Sequence, residues 1–343
     1  MDEALRDVHR PPGVPDHLVM IRFIGSLVFP LALRSALDAG VFQALADRPA
    51  TVGALAEDLA LDEAALRRVL RALAVAGIVT VEEGDLVGLT PLGMTLSPHA
   101  RVPLAAVASY LLGDATLQPL MALATSLRGG NSSHQDDAAG GWYRGDRERS
   151  QGLDHAMGAY GALSAAAIAE SYPFGDFARI VDIGGGLGHF LASILKAFPA
   201  MQGVLLELPQ TARRARDCLE SMGLGDRCQV VEGDMFEAIP SGGNLYLLSK
   251  VLNNWDDRRA VMVLRRVAAV MQPDSRLLLV EMLKSNTPSY EEVVRDLVLL
   301  TSSNGGQVRT AGEFEALLNS AGLALNHIVA TSGGYSLLDC RKV

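Results

Sequence analysis

The sequence predicts an α/β protein in which a parallel sheet, covered by helices on both faces, follows a smaller, mostly helical N-terminal part. Two observations lead to this fold class. The chain has 343 residues, and at roughly 150 residues per domain this length corresponds to about two domains. In its second half, short apolar runs alternate with segments of helix length, as in a buried parallel sheet. The runs are 180–183, 204–206, 229–231, 245–248 and 277–280.

The N-terminal part has the pattern of two helices followed by a hairpin. Val52, Leu55 and Leu59 recur at helical spacing, and Asp62 begins a second helix that ends at Gly77. Two short apolar runs then flank an acidic turn with a glycine, which predicts a β-hairpin. A helix-turn-helix with such a wing is a winged-helix module.

Winged helices often bind DNA, and the second helix carries Arg67, Arg68 and Arg71. Acidic residues surround these arginines, however, and the chain has 30 Lys and Arg against 39 Asp and Glu, a net charge of −9. Such a charge repels both nucleic-acid phosphates and anionic membranes. A DNA-binding regulator with a ligand-sensing second domain remains an alternative, which a salt-dependent shift of random duplex DNA would support.

The stretch 17–47 is very apolar. Arg22 and Pro30 interrupt its most apolar part, 18–33, so the uncharged runs there are shorter than the ~20 residues that span a bilayer. We therefore expect a core or subunit-interface helix rather than a membrane segment. The first residues lack the pattern of a secretion signal, and the three cysteines lack zinc-type spacing, which predicts reduced thiols and no metal site. A cytoplasmic protein is expected.

These patterns divide the chain into three parts. The N-terminal winged-helix domain is expected over 1–112 and the sheet domain over 153–343. Between them, 113–152 is predicted to be a linking helix and a loop, because its second half is polar and rich in glycine.

The first strand of the sheet runs into a glycine-rich turn. Gly184, Gly186 and Gly188 alternate there after Asp182, and glycines at a strand-to-helix turn let a ligand approach the backbone at a helix N-terminus. A dinucleotide fingerprint, G-x-G-x-x-G, would require a glycine where His189 stands. The pattern is instead acid-x-Gly-x-Gly-x-Gly.

Two further acids follow the next two strands. Glu207 ends the second strand, about 20 residues after the turn, where a carboxylate can accept hydrogen bonds from both ribose hydroxyls. Asp234 follows the third strand beside Met235, a pair suited to the amino group and the ring face of adenine. Three acids at successive strand ends therefore predict a ligand that contains adenosine.

With these motifs the chain resembles the S-adenosylmethionine-dependent small-molecule O-methyltransferases, a family that includes caffeic-acid, hydroxyindole and bacterial polyketide methyltransferases. The resemblance runs nearly end to end. Its motifs here are 181–188, 206–209, 232–236, 255–257, 305–306, 309–310 and 313–314. It implies a Rossmann-like class I methyltransferase domain, S-adenosyl-L-methionine as the cofactor and a homodimer formed through the N-terminal module.

The resemblance also nominates residues for both ligands. The cofactor is expected at Asp182, Gly184, Gly186, Glu207, Asp234, Met235, Ser249 and Trp255. The acceptor pocket is expected at Met157, Tyr160, Asp296, Leu299 and Ser303.

The chain departs from the family at the catalytic base. Members that deprotonate a phenol usually carry a His-Asp pair just before Trp-x-Asp, and this chain has Asn253 and Asn254 there. An amide cannot accept a proton near neutral pH. Glu281 matches the carboxylate that would steady the histidine, while Val308 stands where a further acid is expected. We therefore expect the two asparagines to orient the acceptor and Glu281 to anchor them.

Methyl transfer without this base would depend on alignment of the acceptor, which can supply up to ~7–11 kcal/mol in favourable cases. An acceptor that is already ionised would suit the site best, because an ordinary phenol has a pKa near ~10. Carboxylates, enols and quinone-conjugated phenols meet this condition. His155, an imidazole close to Met157, is an alternative base.

The sequence thus predicts a cytoplasmic, homodimeric enzyme that methylates an oxygen of a small aromatic or polyketide-like molecule. Carbon or nitrogen methylation remains open. So does a family member that keeps the cofactor but catalyses hydroxylation, decarboxylation or a rearrangement. Accumulation of S-adenosylhomocysteine with the product would distinguish methyl transfer from this last alternative.

Overall fold

A computed structural model describes residues 13–100, 104–129, 168–303, 305–331 and 334–343. The chain divides into two compact units, Met1–Leu117 and Gln118–Val343. The linking segment expected at 113–152 lies partly outside the described residues.

The first unit contains the helix pair and the hairpin that the sequence predicts. Thr51 and Asp62 begin the two helices, since their side chains accept the backbone N–H groups of Ala54 and Ala65. The three short strands form an antiparallel sheet in the order β1-β3-β2. The helices and strands in the described part of this unit are α1 (Asp16–Gly25), α2 (Val28–Asp38), α3 (Val41–Ala44), β1 (Ala50–Thr51), α4 (Val52–Asp58), α5 (Glu63–Val75), β2 (Val79–Val81), β3 (Leu86–Leu89), α6 (Pro91–Met94), α7 (Ala105–Leu111) and α8 (Asp114–Met121), which crosses into the second unit.

Helix α1 contributes no buried residue to this unit. Ile24 and Leu27 are 68% and 62% exposed, and their apolar neighbours are exposed as well. Among the described residues, the stretch Asp16–Asp38, which comprises α1 and α2, is long and apolar enough to cross a membrane by length and composition alone. The mean hydropathy within it reaches 1.6. The sequence argument for 18–33 rests on the length of its uncharged runs, which Arg22 keeps short. The mean hydropathy instead averages over charged and apolar residues alike, including Arg22 and Arg34.

One of the three arginines considered for DNA phosphates is already paired within the first unit. Arg67 donates to Glu63 on its own helix at 2.7 Å and contacts Asp85 in the hairpin turn at 2.5 Å. The pairs link the second helix to the turn of the hairpin.

The second unit contains a seven-stranded sheet in the order β6-β5-β4-β7-β8-β10-β9. Its strands are β4 (Arg179–Ile183), β5 (Gln202–Glu207), β6 (Cys228–Glu232), β7 (Leu245–Ser249), β8 (Arg276–Glu281), β9 (Leu323–Ala330) and β10 (Ser336–Lys342). The five predicted strands are the parallel ones. Two further strands extend this parallel part of the sheet, and β10 pairs antiparallel with both β8 and β9. The short connection between the last two strands permits only an antiparallel pairing.

The sheet is buried on both faces, as its continuous apolar runs predict. Val181 and Ile183 point into one hydrophobic cluster, and Ile180 points into the other. Among the described residues, the helices of this unit are α9 (Leu123–Gly129), α10 (His189–Ala197), α11 (Pro209–Ser221), α12 (Asp257–Val270), α13 (Tyr290–Ser302) and α14 (Ala311–Ser320), with a 3₁₀ turn at Leu252–Asn254.

Candidate active site

The parallel strands end at one edge of the sheet, and the strand order changes direction between β4 and β7. Ligands of open α/β sheets bind at such a switch point. The glycine turn leaves β4 here, and the Gly184 N–H donates to the Leu206 carbonyl at 2.9 Å. Gly184 and Gly186 have φ values of +70° and +63°, a backbone conformation that glycine adopts without strain.

Glu207 lies against this glycine turn. It is the last residue of β5 and is 6% exposed. Its Oε1 accepts the Gly186 N–H at 3.0 Å, and its Oε2 accepts the Leu208 N–H at 2.8 Å. The carboxylate is therefore held in one orientation beside the loop, as a ribose-binding acid requires.

Asp182 lies inside β4 rather than at its end, and it is fully buried. Neither carboxylate oxygen has a hydrogen-bond partner among the described residues. Burial raises the pKa of Asp182 to about 7, against the opposing charge of Lys250. A Cβ on Gly185 would stand 2.2 Å from the Asp182 Oδ2, so the loop packs on this carboxylate only because position 185 has no side chain.

A second part of the site lies after β6. The Asp234 Oδ1 accepts the Phe236 N–H at 2.8 Å. The Phe236 ring meets the Trp255 ring edge to face, with centroids 4.8 Å apart. Met235 is half-buried and packs against the hydrophobic core of the sheet. The fold thus joins an acid to an apolar surface, which is the combination expected for adenine. Ser249 ends β7 and is half-buried.

The two asparagines lie on the 3₁₀ turn that follows β7. Glu281, at the end of β8, accepts the Leu252 N–H through Oε1 at 3.0 Å and so anchors this turn. The Asn254 Nδ2 donates to the carbonyls of Lys250 and Val251 at 3.0 and 3.3 Å. Asn253 is 3% exposed. The turn is therefore held by hydrogen bonds of both its backbone and its side chains.

Arg295 of α13 joins the two asparagines, a contact that the sequence does not predict. Its Nη2 donates to the Asn253 Oδ1 at 3.1 Å and to the Asn254 Oδ1 at 3.3 Å. An isolated arginine on an amphipathic helix has no motif that would reveal such a contact. Only the packing of α13 against the turn brings the guanidinium there.

Arg309 fixes the other side of the turn. Its side chain is fully buried, and it donates to the Leu252 carbonyl at 3.0 Å and to the Trp255 carbonyl at 2.7 Å. It also pairs with Asp257 at 2.8 Å. This arginine therefore links the asparagine turn to the start of α12.

Two charged groups near the turn have displaced pKa values. Burial raises the pKa of Glu281 to about 7 against the opposing charge of Arg295, and its Oε2 has no hydrogen-bond partner among the described residues. Burial and the charge of Arg295 lower the pKa of Lys250 to about 8. Lys250 has a left-handed φ of +59° and its Nζ lies 5.3 Å from the centroid of the Tyr335 ring.

The residues nominated for the acceptor pocket divide into two groups. Met157 and Tyr160 lie outside the described residues, as does His155, the alternative base. The others make contacts within the protein: the Asp296 Oδ1 accepts the Val308 N–H at 2.9 Å, and the Ser303 hydroxyl donates to the Leu299 carbonyl at 2.5 Å.

The sheet order and this arrangement of acids and glycines define a class I S-adenosylmethionine-dependent methyltransferase. The glycine turn, with its positive φ values at Gly184 and Gly186, and the oriented carboxylate of Glu207 both fit that cofactor. The chain belongs to the O-methyltransferase family: residues 141–324 match its O-methyltransferase domain and residues 21–98 match its dimerisation domain.

Several relatives cover most of the chain. A mitomycin biosynthesis 6-O-methyltransferase from Streptomyces lavendulae is 37% identical over 309 residues, which are 88% of each chain. A phenazine O-methyltransferase from Lysobacter antibioticus is 30% identical and covers 98% of this chain and 99% of its own. The solved structure of a mitomycin 7-O-methyltransferase superposes with a TM-score of 0.89 at 33% identity, with 100% of both chains covered. The protein is thus an S-adenosylmethionine-dependent methyltransferase.

Proposed function

We propose that the protein methylates an ionised or acidic oxygen of a small aromatic or polyketide-like secondary metabolite without a protein base. The observation that carries this proposal is the turn at 252–254, where two amides bound to Arg295 stand in place of the base expected from the family. The similar enzymes from Streptomyces lavendulae and Lysobacter antibioticus are named for mitomycin and phenazine, and both names support an aromatic acceptor.

Cofactor binding would use the two parts of the site at the sheet edge. Glu207 would accept the ribose hydroxyls and the glycine turn, with Gly184 and Gly186, would admit the ligand to the backbone. Asp234, Met235 and Trp255 would contact adenine. Asp182 would support the glycine turn, which packs on its carboxylate. Ser249 would lie beside the cofactor. When bound, S-adenosylmethionine supplies an electrophilic methyl group on a sulfonium.

The acceptor would bind beside the asparagine turn, apart from the residues that contact the cofactor. Asn253 and Asn254 would orient it together with Arg295, while Glu281 would anchor the turn through the Leu252 N–H. Met157, Tyr160, Asp296, Leu299 and Ser303 would shape the pocket. The acceptor oxygen would then face the methyl carbon in the geometry of attack, and alignment would supply much of the rate. His155 remains the candidate base if the acceptor arrives protonated.

The N-terminal unit would form a homodimer. Its dimerisation-domain match spans 21–98, and α1 exposes apolar side chains that a soluble monomer would leave in water. A dimer interface would cover this face and account for the apolar stretch without a membrane. We place the enzyme in the cytoplasm.

A second function has support from two other relatives. One is named an 8-amino-8-demethylriboflavin N,N-dimethyltransferase from Streptomyces davaonensis and is 32% identical, and one is named an aclacinomycin 10-hydroxylase from Streptomyces purpurascens and is 31% identical. The absence of an imidazole at 253 and 254 is compatible with either activity. Nitrogen methylation or cofactor-assisted hydroxylation therefore remains the competing proposal.

The test is a stoichiometry measurement on the full chain. The enzyme is incubated with S-adenosylmethionine and a panel of hydroxynaphthoates and hydroxyquinones, and both S-adenosylhomocysteine and the aromatic product are quantified. One S-adenosylhomocysteine per O-methylated product is the expected result. An oxygenated or decarboxylated product without S-adenosylhomocysteine would reject methyl transfer.

A further inference from the structure

Arg295 places a positive charge beside the two asparagines. It lies on α13 and is half-buried. Its hydrogen bonds to the described residues are those of Nη2 with the two amide oxygens, at 3.1 and 3.3 Å. A guanidinium has five N–H donors in a fixed fork. The Nε and Nη1 edge is thus available to a ligand as far as the described residues are concerned.

No carboxylate among the described residues lies within ion-pair distance of this guanidinium. Other arginines of the chain do have a carboxylate partner, as Arg309 has in Asp257 at 2.8 Å. Glu281 is the nearby acid, but its Oε1 is bound to the Leu252 N–H and its Oε2 is buried without a partner. The acceptors that Arg295 does have are neutral amides, which orient a cation without neutralising it.

A second cation lies close to the first. Lys250 precedes the turn, and the charge of Arg295 contributes to lowering its pKa to about 8. Glu281 and Asp182 oppose these two cations, but burial raises the pKa of each acid to about 7 and so keeps part of their charge neutralised. Water screens the charge of partly buried cations less than it would at the surface, so the site favours an anion. A planar guanidinium edge pairs with a carboxylate or with neighbouring oxyanions through parallel hydrogen bonds.

We propose that Arg295 binds an anionic oxygen of the acceptor and makes the enzyme selective for acceptors that are already ionised at neutral pH. This inference rests on the proposed methyl transfer. The acceptor oxyanion forms the new oxygen–carbon bond with its own electron pair, and the carbon–sulfur bond breaks to leave neutral S-adenosylhomocysteine. No proton has to be removed, so the cation takes the place of a base and the asparagines hold it in position.

A purely structural role for Arg295 makes a different prediction. If the residue only tied α13 to the turn, its replacement would weaken the binding of charged and neutral ligands alike. If it binds an anion, replacement weakens the binding of the charged ligand alone. A matched pair of ligands therefore distinguishes the two roles.

The probes are 2-hydroxy-1,4-naphthoquinone, an acidic hydroxyquinone, and its neutral 2-methoxy ether. Each is titrated calorimetrically into the full chain saturated with S-adenosylhomocysteine, for the parent, Arg295→Met and Arg295→Lys. The control is Arg266→Met, which removes an exposed cation from α12. The absorption of the bound hydroxyquinone across pH reports its ionisation in each variant.

We expect the parent to prefer the ionised probe over the ether by about tenfold or more. Arg295→Met should abolish this preference and raise the apparent pKa of the bound probe, Arg295→Lys should retain part of it, and Arg266→Met should retain all of it. Equal weakening of both probes, or a parent without preference, would overturn the inference. Probe titrations without S-adenosylhomocysteine separate this inference from the proposed methyl transfer. If the protein does not bind S-adenosylhomocysteine but still prefers the ionised probe, methyl transfer is rejected and the anion site stands.

Discussion

Glu281 and Asp182 are the two fully buried carboxylates of the site, and each has at least one oxygen without a hydrogen-bond partner among the described residues. Burial without a compensating donor favours the neutral acid, and both pKa values rise to about 7. Near neutral pH these residues therefore hold protons that the unfolded chain would have lost. Stability should consequently depend on pH in this range.

Replacing Glu281 by Gln tests this dependence. The folded-state pKa lies above its ordinary value of 4.5, so the stabilising contribution is complete below about 4.5 and is lost as the pH rises through about 7. Glutamine keeps an oxygen for the Leu252 N–H and cannot ionise. Between about pH 5 and about pH 8, the stability of Glu281→Gln should therefore rise relative to the parent, by up to roughly 3 kcal/mol.

Urea unfolding at the two pH values measures this difference. Glu315→Gln, at an exposed position on α14, is the control and should leave the difference near zero. An unchanged stability gap between Glu281→Gln and the parent at both pH values would contradict the prediction.

Glu207 provides a residue-scale test of the cofactor site. Glu207→Gln retains the side-chain length but loses the negative charge that the ribose hydroxyls would contact and that accepts the Gly186 N–H. We expect the affinity for S-adenosylhomocysteine to fall by about 1.5–3 kcal/mol, the contribution typical of hydrogen bonds to a charged group.

Calorimetric titration checks this loss, and the neighbouring strand supplies a matched control. Glu232 pairs with Glu207 in the strand register but is exposed and bound to Arg216 at 2.7 Å. Glu232→Gln should keep the parental affinity. Equal losses in both variants would show that the effect does not belong to the Glu207 site.

At the scale of elements, the turn at 252–254 depends on a close backbone approach by Gly306. A Cβ at this position would stand 2.4 Å from the Asn253 carbonyl oxygen and 2.5 Å from the Ser303 hydroxyl. The segment after α13 can pack on the turn only because residue 306 has no side chain. Arg295 and Arg309 then bind the same turn from helix and loop.

Gly306→Ala should therefore displace the asparagine turn. We expect a loss of about 1–3 kcal/mol in the free energy of unfolding, as for overpacked sites, together with a larger relative loss of product formation than of S-adenosylhomocysteine binding. Denaturant unfolding, product quantification and calorimetry measure the three quantities.

Gly312→Ala is the matched control for this substitution. Gly312 lies in α14 and a Cβ there meets nothing within 4 Å. Alanine at this position should leave stability unchanged or slightly raised, because it favours the helix. A similar loss in both variants would mean that contact with the turn is not the cause.

At the scale of the whole molecule, the apolar face of α1 should determine the oligomeric state. Ile24 is 68% exposed and belongs to an exposed apolar series along α1 and the start of α2. Ile24→Glu would place a charge in the proposed interface, where an unpaired buried charge is strongly unfavourable. We expect the parent to sediment as a dimer of the 36.4 kDa chain and Ile24→Glu to sediment as a monomer.

Val75→Glu is the control, because Val75 is 79% exposed on α5, outside this series. Sedimentation equilibrium over a range of protein concentrations gives both masses. A dimeric Ile24→Glu, or a parent that is monomeric throughout, would contradict the proposed role of α1.

The sequence predicted five of the seven strands of the sheet, since fully buried parallel strands are short apolar runs between helices. It did not predict β9 and β10. Polar residues such as Asn326, His327 and Asp339 interrupt their apolar pattern, and the structure shows these side chains bound to one another. A network of this kind satisfies polar groups only after folding, so it leaves no periodic signal.

The candidate site also has a part that the sequence predicts and a part that it does not. Local spacing along the chain by itself determined the glycine turn, the acids Glu207 and Asp234, and the asparagines before Trp255, because strand ends place those residues at one edge of a parallel sheet. Only the tertiary structure decided that Arg295 binds the asparagines and that Arg309 fixes their turn. Both contacts join segments more than 40 residues apart, and the direction of a guanidinium depends on how helices and loops pack, which no local pattern encodes.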